Sequence, residues 1–302
     1  MNKHTQDIIK KVSMEIVDNY RNEPLFSSKK GKIMPERKQI IDVLLSLRDV
    51  MFPGYFQSQD VIGYMPEYFV GERLGKIHQV LSTQVRRGLN YMDDQAHYDE
   101  DNYEQAEEIV EHFVSCLPDI QKTFLGDIQM LFDGDPAAQS KEEIIFSYPG
   151  LFAIYVYRIA HEFYLQKVPF IPRIMTEYAH GKTGIDINAG ATIGKNFFID
   201  HGTGIVIGET TEIGDNVKLY QGVTLGGLST RKGQGLSGSK RHPTIGNNVT
   251  IYAGATILGG NTIIGENSVI GGNAFITDSV PANSRISIKS PEKNLRFDNI
   301  EK

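Results

Sequence analysis

His201 and Asp200 stand together in the run FIDHGTGIVIGE, and Arg241 and His242 stand together forty residues later in KRHPTIG. Imidazole takes and returns a proton near neutrality. Arg241 offers a planar fork of donors that matches a carboxylate, where a lysine would supply only a point charge. Asp186 lies fifteen residues before His201, and Asp135 lies fifty-one before Asp186. A base to take the hydroxyl proton, which a carboxylate can orient, donors for the tetrahedral oxyanion and anchors for the acceptor are what acyl transfer to a hydroxyl requires. Each residue also has a plainer reading. His201 suits an exposed turn, Arg241 a solvated loop, and Asp200 a turn cap. Asp135, before Pro136, suits the N-cap of a following helix. Gly226, Gly227 and Ala253 lack bulk, which either leaves room for a long thin ligand or simply marks tight turns.

Glycine shows which elements must position these groups: nine of the thirty lie before residue 181 and twenty-one at or after it. Upstream, apolar residues recur at helical spacing, as in Val70, Leu74, Ile77, Leu81 and Val85, or Ile109, Val110, Phe113, Val114 and Leu117. Breaks at Pro24, Pro53-Gly54, the acidic stretch from Asp93 to Asp101, Asp133 to Pro136 and Pro149-Gly150 leave room for five or six helices. Downstream the period becomes six, through Ile187, Ile193, Ile199, Ile205, Thr211, Val217 and Val223, then Ile245, Ile251, Ile257, Ile263, Val269 and Phe275. Such hexads predict a parallel β-helix whose aliphatic residues fill the shaft, with three hexads to one triangular coil. On an 18-residue coil, Asp186 and His201 meet on stacked turns. The 22 residues from Val223 to Ile245 are not a whole number of hexads, so the run GGLSTRKGQGLSGSKRHP at 226–243 must leave the shaft as a loop. The expected organisation is α+β: helices over 1–180, a β-helix over 181–280 and a tail over 281–302.

Composition narrows the function classes. A formal net charge of −6 argues against a general nucleic-acid binder. Cys116 is the only cysteine, so no intrachain disulfide forms. The N-terminus carries no apolar signal-peptide core and apolar runs such as 151–156 are too short to span a bilayer, which points to the cytoplasm and to no membrane role. The flat faces of a β-helix need cover, so a trimer is expected. A zinc site of three histidines is not expected, because only His201 and His242 lie on the repeats. Lys218, Lys232 and Lys240 are candidates for ligand phosphates, with solvated lysine the plainer reading of each.

The runs Asp186-Ile-Asn-Ala-Gly-Ala, Asp200-His201-Gly-Thr-Gly-Ile-Val-Ile-Gly-Glu-Thr, Gly222-Val-Thr-Leu-Gly-Gly227 and Arg241-His242-Pro-Thr-Ile-Gly resemble the serine acetyltransferase family, a branch of the hexapeptide-repeat acyltransferases. The resemblance runs from about Asp135 to Val280. It implies a left-handed parallel β-helix and transfer of acetyl from acetyl-CoA, as co-substrate and without a metal, to L-serine in cysteine biosynthesis. It implies His201 as base with Asp186 as its partner, Arg241 on the serine carboxylate, Asp135 and Asp200 on the ammonium, and His242 near the reacting oxygen. Gly226, Gly227 and Ala253 then border the pantetheine arm of CoA. L-cysteine is the expected feedback inhibitor, and a homotrimer or a dimer of trimers the expected assembly. The family's complex with O-acetylserine sulfhydrylase uses a terminal isoleucine, whereas Ile300 here is followed by Glu301 and Lys302, which argues against that partnership. The competing reading is an acetyltransferase of the same fold acting on another small hydroxyl compound.

Overall fold

The computed structural model describes residues 1–29, 31–57, 66–96, 101–229, 231 and 233–288. Lys232, residues 97–100 of the acidic stretch, and the tail beyond 288 with Ile300 lie outside them. By contact the chain divides into two compact units, Met1–Cys116 with Gln166–Ile174, and Leu117–Leu165 with Met175–Lys302.

Seven α-helices occur among the described residues: α1 (Lys3–Asn22), α2 (Arg37–Met51), α3 (Pro66–Met92), α4 (Tyr103–Gly134), α5 (Lys141–Ser147), α6 (Pro149–Leu165) and α7 (Ile171–Thr183). The count exceeds the five or six expected because the last helical stretch is split at Lys167 and Phe170. Both take the left-handed conformation, with φ of 58° and 65°, which their residue types do not signal. In the first unit α2 buries Ile40, Val43, Leu44 and Leu47 and packs against α3, which buries Ile77, Leu81 and Val85. The buried Gln84 ties the pair, accepting the Glu36 N–H at 2.6 Å and donating to Gln39 at 2.7 Å. None of the described helices is long and apolar enough to cross a membrane.

Among its described residues the second unit carries fourteen short parallel strands in three sheets. The first face stacks β1 (Asp186–Ile187), β4 (Val206–Ile207), β7 (Thr224–Gly226), β10 (Thr256–Leu258) and β13 (Phe275–Ile276). The second stacks β2 (Thr192–Ile193), β5 (Glu212–Ile213), β8 (Thr244–Ile245) and β11 (Ile263–Ile264). The third stacks β3 (Phe198–Asp200), β6 (Lys218–Tyr220), β9 (Thr250–Ile251), β12 (Val269–Ile270) and β14 (Arg285–Ile286). The shaft is filled by Ile187, Ile193, Ile199, Ile207, Ile213, Leu219, Leu225, Ile245, Ile251, Ile257, Ile264, Ile270 and Ile276, all buried. Burial of each such side chain contributes roughly 1.5–3 kcal/mol.

This ladder corrects the expected one. Eight residues, not six, separate Ile199 from Ile207, so Ile205, Thr211, Val217 and Val223 fall at corners, where they are also buried. Seven separate Ile257 from Ile264, which turns Ile263 and Phe275 outward at 52% and 70% exposure. Twenty separate Leu225 from Ile245, the excess leaving the shaft as a loop that carries a 3-10 turn at Gly233–Leu236.

The corner between the second and third faces keeps strict period. Asn196, Asn216, Asn248, Asn267 and Asn283 stack there, all left-handed with φ of 55–59°. Each side-chain amide donates to the next oxygen up the stack, at 2.7, 3.0, 3.0 and 3.2 Å. Asparagine tolerates this conformation because its short polar side chain bonds locally.

Candidate active site

The first enlarged corner follows β3. Its two extra residues form a bulge in which His201, Gly202 and Gly204 have φ of 56°, 77° and 80°. The bulge sends the His201 imidazole into solvent, 69% exposed, with Nδ1 3.5 Å from Oδ1 of the largely buried Asp200. Asp135 follows the end of α4, and its carboxylate accepts the Ala137 N–H at 2.8 Å and the Tyr148 hydroxyl at 2.5 Å. It does not cap α5, whose N-cap is Ser140. The Tyr148 hydrogen bond, then the Ala137 N–H and the nearby His201, hold Asp135 below the usual carboxylate range. Tyr148 is pushed up to about 12, chiefly by its bond to Asp135, then by burial and by the charges of Asp135, Glu143 and Asp200. Asp135, Tyr148, Asp200 and His201 therefore form one electrostatic cluster. The first turn of α6 can reach it because Gly150 lies on β3, where a Cβ would stand 2.4 Å from the Ile199 carbonyl oxygen.

Asp186 begins β1 and pairs in register with Val206, so the coil here has twenty residues and places Asp186 level with a point five residues beyond His201. Among the described residues its carboxylate takes no hydrogen bond or ion pair. Asp200 is the carboxylate that the chain brings to the imidazole.

The second group sits at the corner after β4, where the loop returns against Gly208-Glu209-Thr210. Arg241 bonds Glu209, whose other oxygen accepts the Tyr164 hydroxyl at 3.0 Å. Burial raises the Glu209 pKa, but the Arg241 and Tyr164 hydrogen bonds and the Arg241 charge carry it below the usual range. The backbone N–H groups of Arg241 and His242 donate to the Thr210 hydroxyl oxygen at 2.9 and 3.1 Å. His242 is 9% exposed, and its Nδ1 faces the Thr210 N–H at 3.0 Å and the Thr210 Oγ1 at 2.9 Å. Burial pushes the imidazole down to about 4, with Arg241 acting the same way, Glu209 opposing and Lys240 adding to the fall.

The chain thus gathers Asp135, Asp200 and His201 at one corner and Arg241 and His242 at another, separated by β4. Among the described residues no hydrogen bond or ion pair joins the two groups. The small residues divide likewise: Gly226 and Gly227 open the loop, while Ala253 lies at the corner after β9. Lys218 Nζ lies 5.3 Å from the centre of the Phe198 ring, and Lys240 bonds Glu212 at 2.9 Å and the Thr210 carbonyl oxygen at 2.7 Å. Tyr148, Tyr164, Glu209 and Thr210 are absent from the sequence-based site. Glu209 and Thr210 sit inside the run after His201, where the motif alone gives them no role. Tyr148 carries no spacing signal at all.

A three-faced parallel β-helix of hexads with a solvent-open histidine on an enlarged corner defines the hexapeptide-repeat acyltransferases. No family model matches the chain. The plasmid serine acetyltransferase of Synechococcus elongatus is 43% identical over 279 residues, covering 89% of this chain and 85% of that protein. The Bacillus subtilis serine acetyltransferase is 53% identical over 129 residues, a stretch that spans 57% of its length. Serine acetyltransferase isoform 3 of Entamoeba histolytica, solved in complex with cysteine, superposes with a TM-score of 0.73 at 32% identity, covering 97% of this chain and 96% of that one. The chain belongs to the serine acetyltransferase family, and its helical part followed by a left-handed parallel β-helix is the fold of that family.

Proposed function

We propose that the chain transfers the acetyl group of acetyl-CoA to the hydroxyl of L-serine, giving O-acetyl-L-serine and CoA. The observation that carries the reading is the cluster at the His201 corner, where two carboxylates, one held ionised by Tyr148, flank a solvent-open imidazole. His201 takes the serine hydroxyl proton as the oxygen attacks the thioester carbon, and Asp200 stabilises the imidazolium that forms. Collapse of the tetrahedral intermediate expels the CoA sulfur, which takes that proton back. Asp135 and Asp200 hold the serine ammonium, Arg241 its carboxylate, and His242 bonds near the reacting oxygen. Asp186 is the further carboxylate assigned to the base, while Gly226, Gly227 and Ala253 leave space for the pantetheine arm.

Two groups at different corners of one prism come together on one small acceptor when a second copy supplies the other corner. The reading therefore includes a homotrimer or a dimer of trimers, with residues 1–180 serving assembly, 181–280 catalysis and 281–302 forming a tail. Light scattering on the purified chain checks it, and a fully active monomer overturns it. L-cysteine shares the ammonium and carboxylate of serine and differs at one atom, so a pocket anchored on the shared groups admits it as a competitor. The Entamoeba relative, solved with cysteine, supports this. The setting is cysteine biosynthesis in the cytoplasm. Another hydroxyl acceptor is not favoured, since an amino-acid zwitterion is what Arg241 and the paired aspartates match.

The test is release of free CoA from acetyl-CoA on adding L-serine, with a sugar and chloramphenicol as competing acceptors. Serine-dependent release is expected. Release with another acceptor and not with serine overturns the reading.

A further inference from the structure

The two histidines of the site are built for different work, and the difference lies in Thr210. Its hydroxyl oxygen has two lone pairs, and both are taken, by the backbone N–H groups of Arg241 at 2.9 Å and His242 at 3.1 Å. Its one proton is left to point at His242 Nδ1, 2.9 Å away. The Thr210 backbone N–H, which can only donate, points at the same Nδ1 from 3.0 Å. A ring nitrogen that faces two donors carries no proton of its own, so the proton of the neutral ring sits on Nε2. Gly208 packs against the Cδ2–Nε2 edge of the ring, where any Cβ would collide with it, so no side chain at 208 covers Nε2. Among the described residues no group accepts the Nε2 proton.

We propose that Thr210 is a positioning residue that fixes His242 as the neutral Nε2–H tautomer, so that His242 serves acyl transfer as a hydrogen-bond donor to the oxygen where negative charge develops, never as the base. The proposal rests on the reading of the site given above. Protonating Nδ1 requires both Thr210 donors to turn away. The charges facing the ring are Arg241 and Lys240, which oppose a second proton, and Glu209, which favours one and is itself occupied by Arg241 and Tyr164. His201 has no such lock: it is exposed, and its charged neighbours are the carboxylates Asp200 and Asp135. The division leaves proton transfer to His201 and oxyanion stabilisation to His242.

The test is nitrogen NMR of the full-length chain labelled in its histidines, with the His242 signals assigned by their loss in His242→Gln. The expected result is an Nε2–H pattern that persists from about pH 8 to about pH 5, below the range where an ordinary histidine titrates. An Nδ1–H pattern, or titration near the ordinary histidine value, overturns the proposal. In the serine-dependent assay, His242→Gln, which keeps an N–H donor but cannot act as a base, loses less than about tenfold in kcat, whereas His242→Leu loses about 10²–10³-fold. Equal losses in the two variants overturn it. Thr210→Ser keeps the Nε2–H pattern and most of the turnover. Thr210→Val removes the hydroxyl donor, lets the ring titrate higher and lowers kcat about tenfold or more. An inactive wild type defeats the functional reading alone, because the NMR pattern still decides the tautomer.

Discussion

The asparagine corner and the His201 corner turn the same coil by the same kind of left-handed residue, and they spend their side chains in opposite ways. The amides of Asn196, Asn216, Asn248 and Asn267 are each consumed by the next asparagine, so the corner spends its side chains on its own stack. At the His201 corner two inserted residues break the stack. Among the described residues the imidazole there takes no hydrogen bond from the coil above or below, and it reaches solvent beside Asp200. A β-helix holds itself together by repetition, and chemistry enters where repetition is interrupted. The corner after β4 follows the same rule, since the long loop inserted after β7 returns Arg241 and His242 to it.

The comparison can be broken by exchanging what each corner is asked to do. His201→Ala should lower kcat by roughly 10²–10⁴-fold while the thermal midpoint falls by less than in Asn248→Ala, since both place an alanine in the left-handed conformation but only the asparagine gives up stacked amide bonds. Arg241→Lys should raise the apparent KM for serine and the inhibition constant for cysteine together by roughly tenfold or more, because one fork serves both carboxylates. Tyr148→Phe should raise serine KM several-fold and change its pH dependence. Asp135 is held below its ordinary range by the Tyr148 hydroxyl, so without that bond it takes a proton at higher pH, and serine affinity fails earlier as the solution is acidified. Asn248→Ala, in the regular corner, should cost about 1–3 kcal/mol in denaturant unfolding through two lost amide bonds and a strained left-handed alanine. Its kcat should stay close to that of the wild type.

The three-faced shaft is legible in the sequence because each inward aliphatic must recur every six residues. The slips in register are hidden by the same chemistry. Ile205, Val217 and Val223, at corners two residues before an inward one, are also apolar and buried, with Thr211 the polar exception, so a two-residue insertion at His201 swaps one largely apolar series for another. Between β10 and β11 the adjacent Ile263 and Ile264 mask a slip of one. In the site, His201, Asp200, Arg241 and His242 are readable as neighbours in short motifs. Tyr148 and Tyr164 are not, because their partners lie 13 and 45 residues away and are set by helix docking. The coil at the level of Asp186 has twenty residues where eighteen is expected, an insertion that the hexad period does not announce.

Serine-dependent CoA release measured side by side on His201→Ala and Asn248→Ala, with folding checked by thermal unfolding, tests the division of labour most directly. The expected result is a folded His201 variant slowed by roughly 10²–10⁴-fold beside a less stable Asn248 variant with near-wild-type kcat. A His201 variant that turns over serine at the wild-type rate, or an Asn248 variant that keeps its stability and loses its turnover, would contradict it.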